Sequence, residues 1–207
     1  MMGFSFLLRG LAIGLSIAAP VGPIGVLCIR RTLAQGRAFG LVSGLGAATA
    51  DLIYGCVAGF GLTIVSDFLV DQQVWLRLGG GAFLCYLGVR TLLARPAEQE
   101  QAALPGGNGL AGAYASTLFL TLTNPMTIIS FAAIFAGLGL ADSGGDRASA
   151  AVLVLGVFAG SALWWLLLSG GANVFRERVS PRGLGWINRI SGVIITGFGL
   201  FALVSAV

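Results

Sequence analysis

Proline interrupts two long apolar stretches of this chain. Pro20 and Pro23 bracket Gly22 in the first stretch, and Asn124–Pro125 interrupts a later one. Proline removes a backbone donor and clashes with the preceding turn, so a helix opens where it occurs. Hydrocarbon offers no water to the freed N–H and C=O groups, so such breaks persist in a membrane only against protein or a wet cavity. The two breaks therefore predict a membrane protein with buried, non-helical backbone.

The composition agrees with a lipid environment. Of the 207 residues, 57% are hydrophobic and only 10% are charged, and the mean hydropathy of +0.93 is far above that of a soluble domain. All twelve basic residues are arginines, and they cluster near the ends of apolar stretches. This arrangement indicates membrane topology. No basic stripe of the kind that binds nucleic acid is present, so we predict no nucleic-acid partner.

We predict an all-α integral membrane protein with six transmembrane helices, of which spans 1 and 4 are broken. Each window is about 20 residues or longer, which is enough to cross a bilayer. The predicted spans are 4–29, 39–65, 74–94, 110–138, 149–171 and 183–204. A polar connector, 95–109, rich in proline and glycine, divides the single membrane domain, 1–207, into three-helix repeats, 1–94 and 110–207.

Arginine placement predicts the orientation of these spans. Nine of the arginines follow spans one, three and five, while Arg9, Arg77 and Arg147 lie on the opposite side together with several aspartates. The positive-inside rule then places both termini outside the cell and the connector in the cytoplasm. With three spans per half, the two halves have inverted topology. Broken helices in corresponding spans of inverted repeats are typical of transporters that bind substrate near the midplane.

Asp51 lies near the centre of the second span. A carboxylate at that depth costs about 2.5 kcal/mol or more, so it is either protonated or has a buried partner. A structural acid bonded to Thr49, Tyr54 or freed backbone is the alternative to a functional group. Asn124 stands before Pro125, and its side chain is able to cap the broken helix or contact a ligand. We predict that substrate binding or coupling involves Pro20, Gly22, Pro23, Asp51, Tyr54, Asn124 and Pro125.

Glycine, tryptophan and cysteine are expected to serve packing. Glycines recur at four-residue spacing, which lets helix backbones approach closely, and we expect internal packing from most of them, with a dimer seam as the alternative. The pairs are Gly40 and Gly44, Gly55 and Gly59, and Gly156 and Gly160. Trp164 and Trp165 lie inside the fifth span, where we expect them to pack against a neighbouring helix, with lining of the transport path as the alternative. The three cysteines lack the spacing and histidine partners of a metal or haem site.

The ordered motifs resemble one protein family. These are Ala19-Pro20-Val21-Gly22-Pro23-Ile24-Gly25, then Gly44-x-Gly46-x-x-x-x-Asp51-x-x-Tyr54-Gly55, and then Thr123-Asn124-Pro125-Met126-Thr127. In this order they resemble the LysE family of translocators, the lysine and threonine/homoserine exporter superfamily. The resemblance implies a bacterial cytoplasmic-membrane exporter of amino acids or related small metabolites that is coupled to the proton gradient and forms a homodimer. The chain departs from many members at Ile24 and Met126, positions that bear on the substrate.

Other classes of protein fit less well. A thiol-disulfide electron carrier needs cysteines in both broken spans, and Cys28 has no counterpart in the fourth. A divalent-metal exporter needs several carboxylate, histidine or thiolate ligands in the membrane, whereas Asp51 is the only deep acid. The metal exporter remains the alternative function, and an uncoupled channel is a further one. We expect no enzymatic activity and no cofactor; membrane lipid and an amino-acid substrate are the expected partners.

Overall fold

The computed structural model describes residues 2–20, 22–59, 71–93, 109–124, 127–128, 130–131 and 147–206, and this part of the chain is helical. Its seven helices are α1 (Met2–Ala18), α2 (Pro23–Gln35), α3 (Arg37–Gly59), α4 (Gln73–Leu93), α5 (Gly109–Leu122), α6 (Arg147–Arg176) and α7 (Pro181–Val204). Apart from Gly109, the predicted connector 95–109 lies outside the described residues. The all-α prediction is confirmed for the residues described.

Three of these helices are long and apolar enough to cross a membrane by themselves: Arg37–Ala58, Ala148–Arg176 and Arg182–Val204. A fourth span results if α1 and α2 are counted together, although they bend by 83° at the break between them. Gly109–Leu122 is a shorter apolar helix. Large apolar side chains such as Trp186, Ile190 and Phe201 are exposed on α7, as expected for a surface that contacts lipid. The described part is therefore that of a multi-pass membrane protein.

Glycines bring α1 and α6 into backbone contact. A Cβ added at Gly10 would overlap the backbone oxygen of Leu153, and one at Gly14 would overlap that of Val157. The contacts advance along both helices together, so α1 and α6 run in the same direction. On α6, Gly156 meets the backbone of α1 in the same way. Side chains larger than hydrogen at these positions would push the two helices apart.

Helix α3 packs against α2, α5 and α6. It runs parallel to α5, where Gly46 meets the Tyr114 carbonyl, and antiparallel to α6, where Gly44 lies against Trp165. Helices α4 and α7 form a separate antiparallel pair. Glycines on both helices permit their close contact, namely Gly81, Gly88, Gly192 and Gly199. Internal packing is thus confirmed for Gly40, Gly44, Gly156 and Gly160, each of which faces a neighbouring helix.

Replacing Gly160 by alanine is expected to destabilise the protein by about 1–3 kcal/mol, because the new Cβ would overlap the backbone carbonyl of Leu11 on α1. The matched control is Gly170→Ala on the same helix, where a Cβ would meet nothing within 4 Å. Alanine there should leave stability unchanged or raise it by up to about 1 kcal/mol, because of its better helix propensity. Thermal unfolding of the detergent-solubilised protein measures both, and equal effects of the two substitutions would contradict close α1–α6 packing.

Candidate functional site

A cavity of about 70 Å³ lies where the first break meets α3, α5 and α6. This is room for a few water molecules. Its lining residues come from both ends of the first break and from three other segments: Ile17, Ala18, Pro20, Gly22, Pro23, Ile24, Gly25, Ala47, Asp51, Thr121, Asn124, Thr127 and Trp165. One carboxyl group and several polar side chains therefore share this space with apolar neighbours.

Asp51 is the acidic group of this cavity. It is only 3% exposed, and one of its carboxylate oxygens, Oδ2, accepts a hydrogen bond of 2.6 Å from the hydroxyl of Ser161 on α6. The partners suggested by the sequence are engaged elsewhere. Thr49 donates to the Leu45 carbonyl, and Tyr54 donates to the carbonyl of Leu122. Asp51 thus joins α3 to α6 through a neutral partner and faces the cavity.

The first break has a simple backbone geometry. Helix α1 ends at Ala18, and α2 begins at Pro23, whose missing N–H is no loss in the first turn of a helix. Gly22 is the N-cap residue, in an extended conformation with φ −101° and ψ −163°. Other residues adopt these angles readily, so backbone conformation does not require glycine here. A Cβ at Gly22 would meet nothing within 4 Å, and the absence of a side chain leaves the cavity wall open.

The second break begins at Asn124. Helix α5 ends at Leu122, and the carbonyl of Asn124 accepts hydrogen bonds from the amides of Thr127 and Ile128 at 3.1 and 3.2 Å. This is the pattern of a residue that starts a new helical segment. The Leu122 carbonyl, left over at the end of α5, accepts its hydrogen bond from the Tyr54 hydroxyl. Tyr54 therefore satisfies backbone that the break has freed, as buried backbone in a membrane requires.

Most of the residues predicted from sequence meet at this cavity. Five of them line it: Pro20, Gly22, Pro23, Asp51 and Asn124. Tyr54 does not; it lies one turn along α3 from Asp51, is 4% exposed, and contacts the second break. Pro125 lies outside the described residues. Asp51, the first break and the start of the second break thus lie at one location in the folded chain.

Of the eight lining residues that were not predicted as site residues, three carry polar groups. Thr121 and Thr127 flank the second break, and their proximity to Asn124 in sequence is a signal that would have identified them. Trp165 was expected to pack, with lining of the transport path as the alternative; it packs on Gly44 and also lines the cavity. Ser161 was also missed, because a serine among the apolar residues of a span shows no sign of the partner it meets on another helix.

A buried arginine joins three helices near one end of the bundle. Arg31 on α2 is 8% exposed and donates three hydrogen bonds of 2.8–2.9 Å. The acceptors are the hydroxyl of Ser43 on α3, and the carbonyl of Ala113 and the hydroxyl of Ser116 on α5. The neighbouring Arg30 donates to Asn188 of α7 at 3.1 Å. In the sequence, these arginines indicate only the orientation of the first span.

The fold and the cavity define a class: a multi-pass membrane protein with broken helix backbone around a cavity that contains polar groups, which is the arrangement of a transporter. A family model, described as LysE type translocator, matches residues 15–206. The chain belongs to the LysE type translocator family. The resemblance drawn from the sequence motifs is thereby confirmed.

Individual relatives cover nearly the whole chain. The Bacillus subtilis (strain 168) protein named "Putative amino acid efflux protein YcgF" is 29% identical over 195 residues, covering 92% of this chain and 91% of its own. The threonine efflux protein of Escherichia coli (strain K12) is 24% identical over 192 residues, covering 89% and 90%. No solved structure matches the chain significantly.

Proposed function

We propose that this protein exports amino acids across the bacterial cytoplasmic membrane in exchange for protons, with Asp51 as the coupling group. The observation that carries the proposal is the meeting of Asp51, the first break and the start of the second break at one cavity. Family membership supports transport, and the relatives named as amino acid and threonine efflux proteins support the type of substrate.

The chemistry of the cavity suits a zwitterion. The Asp51 carboxylate attracts an ammonium group, and the hydroxyl of Ser161 occupies that carboxylate when the ammonium is absent. Asn124 and Thr127, which line the same cavity, carry N–H and O–H groups of the kind that bind a carboxylate. An α-amino acid brings both groups within one small molecule.

A single acid shared by two cations provides the coupling. Facing the cytoplasm, Asp51 releases its proton and binds the ammonium group of the amino acid. Facing outward, it releases the amino acid and takes a proton from outside. Because one carboxylate holds either the proton or the ammonium group, each outward passage of substrate is matched by an inward passage of one proton. The carrier thereby uses the proton gradient to drive export.

Helix pairing supports two inverted repeats. In the proposed repeats, α1 corresponds to α5, and α3 corresponds to α6. The parallel contact between α1 and α6 therefore has its counterpart in the parallel contact between α5 and α3. Helices α3 and α6 cross antiparallel, and Asp51 and Ser161, which bond there, are each the fifteenth residue of their helix. Rocking of one repeat against the other would expose the cavity to each side in turn.

Metal export is the weaker alternative. Across the residues that the structure describes, no three His, Cys, Asp or Glu side chains group together as metal ligands would. Asp51 offers one carboxylate with hydroxyl and amide neighbours, a set that is poor for selecting a transition metal. The site as described favours an organic ammonium group.

Transport by the purified protein in liposomes tests the proposal. With an acidic interior, outward proton flow should drive labelled amino acid into the vesicles against its concentration gradient, and an uncoupler should abolish this accumulation. Protein-free vesicles and vesicles without a pH gradient are the controls. If none of the twenty amino acids accumulates under the gradient while divalent cations do, the metal alternative replaces this proposal.

A further inference from the structure

One buried donor beside the cavity lacks an acceptor. Trp165 on α6 is 5% exposed, and its indole nitrogen Nε1 is buried with no hydrogen-bond partner in the part of the chain that the structure describes. A buried indole N–H normally finds an acceptor, and leaving it unpaired is costly. Trp165 is also one of the residues that line the cavity containing Asp51. An acceptor supplied from within the cavity would remove that cost.

The surroundings hold Trp165 close to Asp51. Ser161, which donates to Asp51, lies one helical turn before Trp165, so both side chains lie on the same face of α6. On the opposite helix, Gly44 allows the tryptophan to pack directly on the backbone of α3, since a Cβ there would lie 2.6 Å from Trp165 Cγ. Alanine or any larger residue at position 44 would displace the ring. The tryptophan is thus packed on α3, one helical turn along α6 from the hydrogen-bond partner of Asp51.

Building on the proposed function, we propose that Trp165 is a substrate-binding residue whose indole N–H donates a hydrogen bond to the carboxylate of the bound amino acid. Asp51 on α3 holds the ammonium group, and Trp165 on α6 holds the carboxylate. The two ends of one small zwitterion then contact helices from both halves of the chain. Amines that lack a carboxylate fill only half of this site, so Trp165 contributes to selection of amino acids over simple amines.

The test compares two adjacent tryptophans. W165F removes the N–H and keeps a ring, while W164F makes the same change at a partly buried residue that packs on the core and is not among those lining the cavity. Binding to the purified protein is measured with L-threonine and with L-threoninol, in which an alcohol replaces the carboxylate. W165F should weaken threonine binding at least about tenfold, the effect of one hydrogen bond to a charged group, and threoninol binding less than about twofold. W164F should change neither.

Each outcome has a clear meaning. If W165F binds threonine as tightly as the wild type, or loses threonine and threoninol equally, the proposal is wrong and Trp165 only packs. If the wild type binds another amino acid instead, that amino acid and its amino alcohol take the place of the threonine pair. If it binds no amino acid at all, the proposed function itself fails, and this inference fails with it.

A second measurement avoids any folding defect of W165F. The variant W75F/W164F/W186F retains Trp165 as its single tryptophan, because the chain has four. Threonine should shift the fluorescence emission of this variant, since hydrogen bonding of the indole N–H changes on binding. An emission spectrum unchanged at saturating threonine overturns the proposal.

Discussion

Asp51→Asn is expected to abolish amino-acid accumulation driven by a pH gradient and to weaken substrate binding by about 10- to 100-fold. A hydrogen bond to a charged group is worth about 1.5–3 kcal/mol, and each 1.4 kcal/mol is tenfold in affinity. Asparagine has nearly the same size as aspartate and still accepts a hydrogen bond from Ser161, so the contact between α3 and α6 is kept. What it loses is the negative charge and the ability to exchange a proton.

The matched variant is Ser161→Ala, which removes the neutral partner and keeps the acid. We expect it to retain coupling to the pH gradient and to lower the export rate by less than about tenfold. Reconstituted transport with and without a pH gradient measures both variants, and thermal unfolding shows that they are folded. Wild-type accumulation by Asp51→Asn under a gradient would remove Asp51 from the coupling mechanism.

Arg31→Ala is expected to lower the free energy of unfolding by about 3 kcal/mol, because it removes three hydrogen bonds that hold α2 to α3 and α5. For a domain of this size, such a loss lowers the melting temperature by about 6–12 °C. The Ser43 hydroxyl, which is fully buried, would be left without its charged donor. We also expect substrate to leak through reconstituted vesicles, because these bonds close one end of the bundle.

Arg31→Lys and Arg37→Ala are the controls for this effect. Lysine keeps the charge, but an ammonium group does not span the three oxygens that the forked guanidinium reaches, so we expect most of the loss to remain. Arg37 is exposed at the start of α3, and its replacement should change stability by no more than about 0.5 kcal/mol. Full stability and tight vesicles with Arg31→Lys would show that charge alone matters at this position.

The two predictions concern different parts of one proposed cycle. Asp51 lies in the cavity, and Arg31 lies about two and a half helical turns after the first break, one turn before the end of α2. Arg31 and Arg30 both bond to helices of the second half, α5 and α7, while they themselves belong to the first. The rocking proposed above would break these bonds, so we expect Arg31→Ala to favour a conformation that is open at this end.

Much of the candidate site could be predicted because freed backbone groups and charged side chains are energetically unfavourable in lipid. A proline pair around residue 22, an Asn-Pro dipeptide and a deep aspartate all violate the rules for an apolar helix, so each is visible without knowing its neighbours. Ser161 and Trp165 break no such rule. Serine is common in transmembrane helices, and a tryptophan inside a span is usually a packing residue, so only its contacts show that it lines a cavity.

Arg31 shows the same limit for charge. Arginines at the end of a span indicate its orientation in the membrane. The sequence gives no reason to distinguish Arg31 from Arg37. Folding buries one and exposes the other, because Ser43, Ala113 and Ser116 come together around Arg31 only when α2, α3 and α5 meet.

The sequence by itself determined that this chain lies in a membrane, where its helices break, and which family it resembles, because backbone polarity and charge are costly in hydrocarbon wherever they occur. Tertiary structure alone decided which side chains face one another across the helices. Asp51 meets Ser161, Tyr54 meets the end of α5, and Trp165 reaches the cavity. These contacts follow from close helix approach at glycines such as Gly44, and short side chains carry no mark of the partner they will meet.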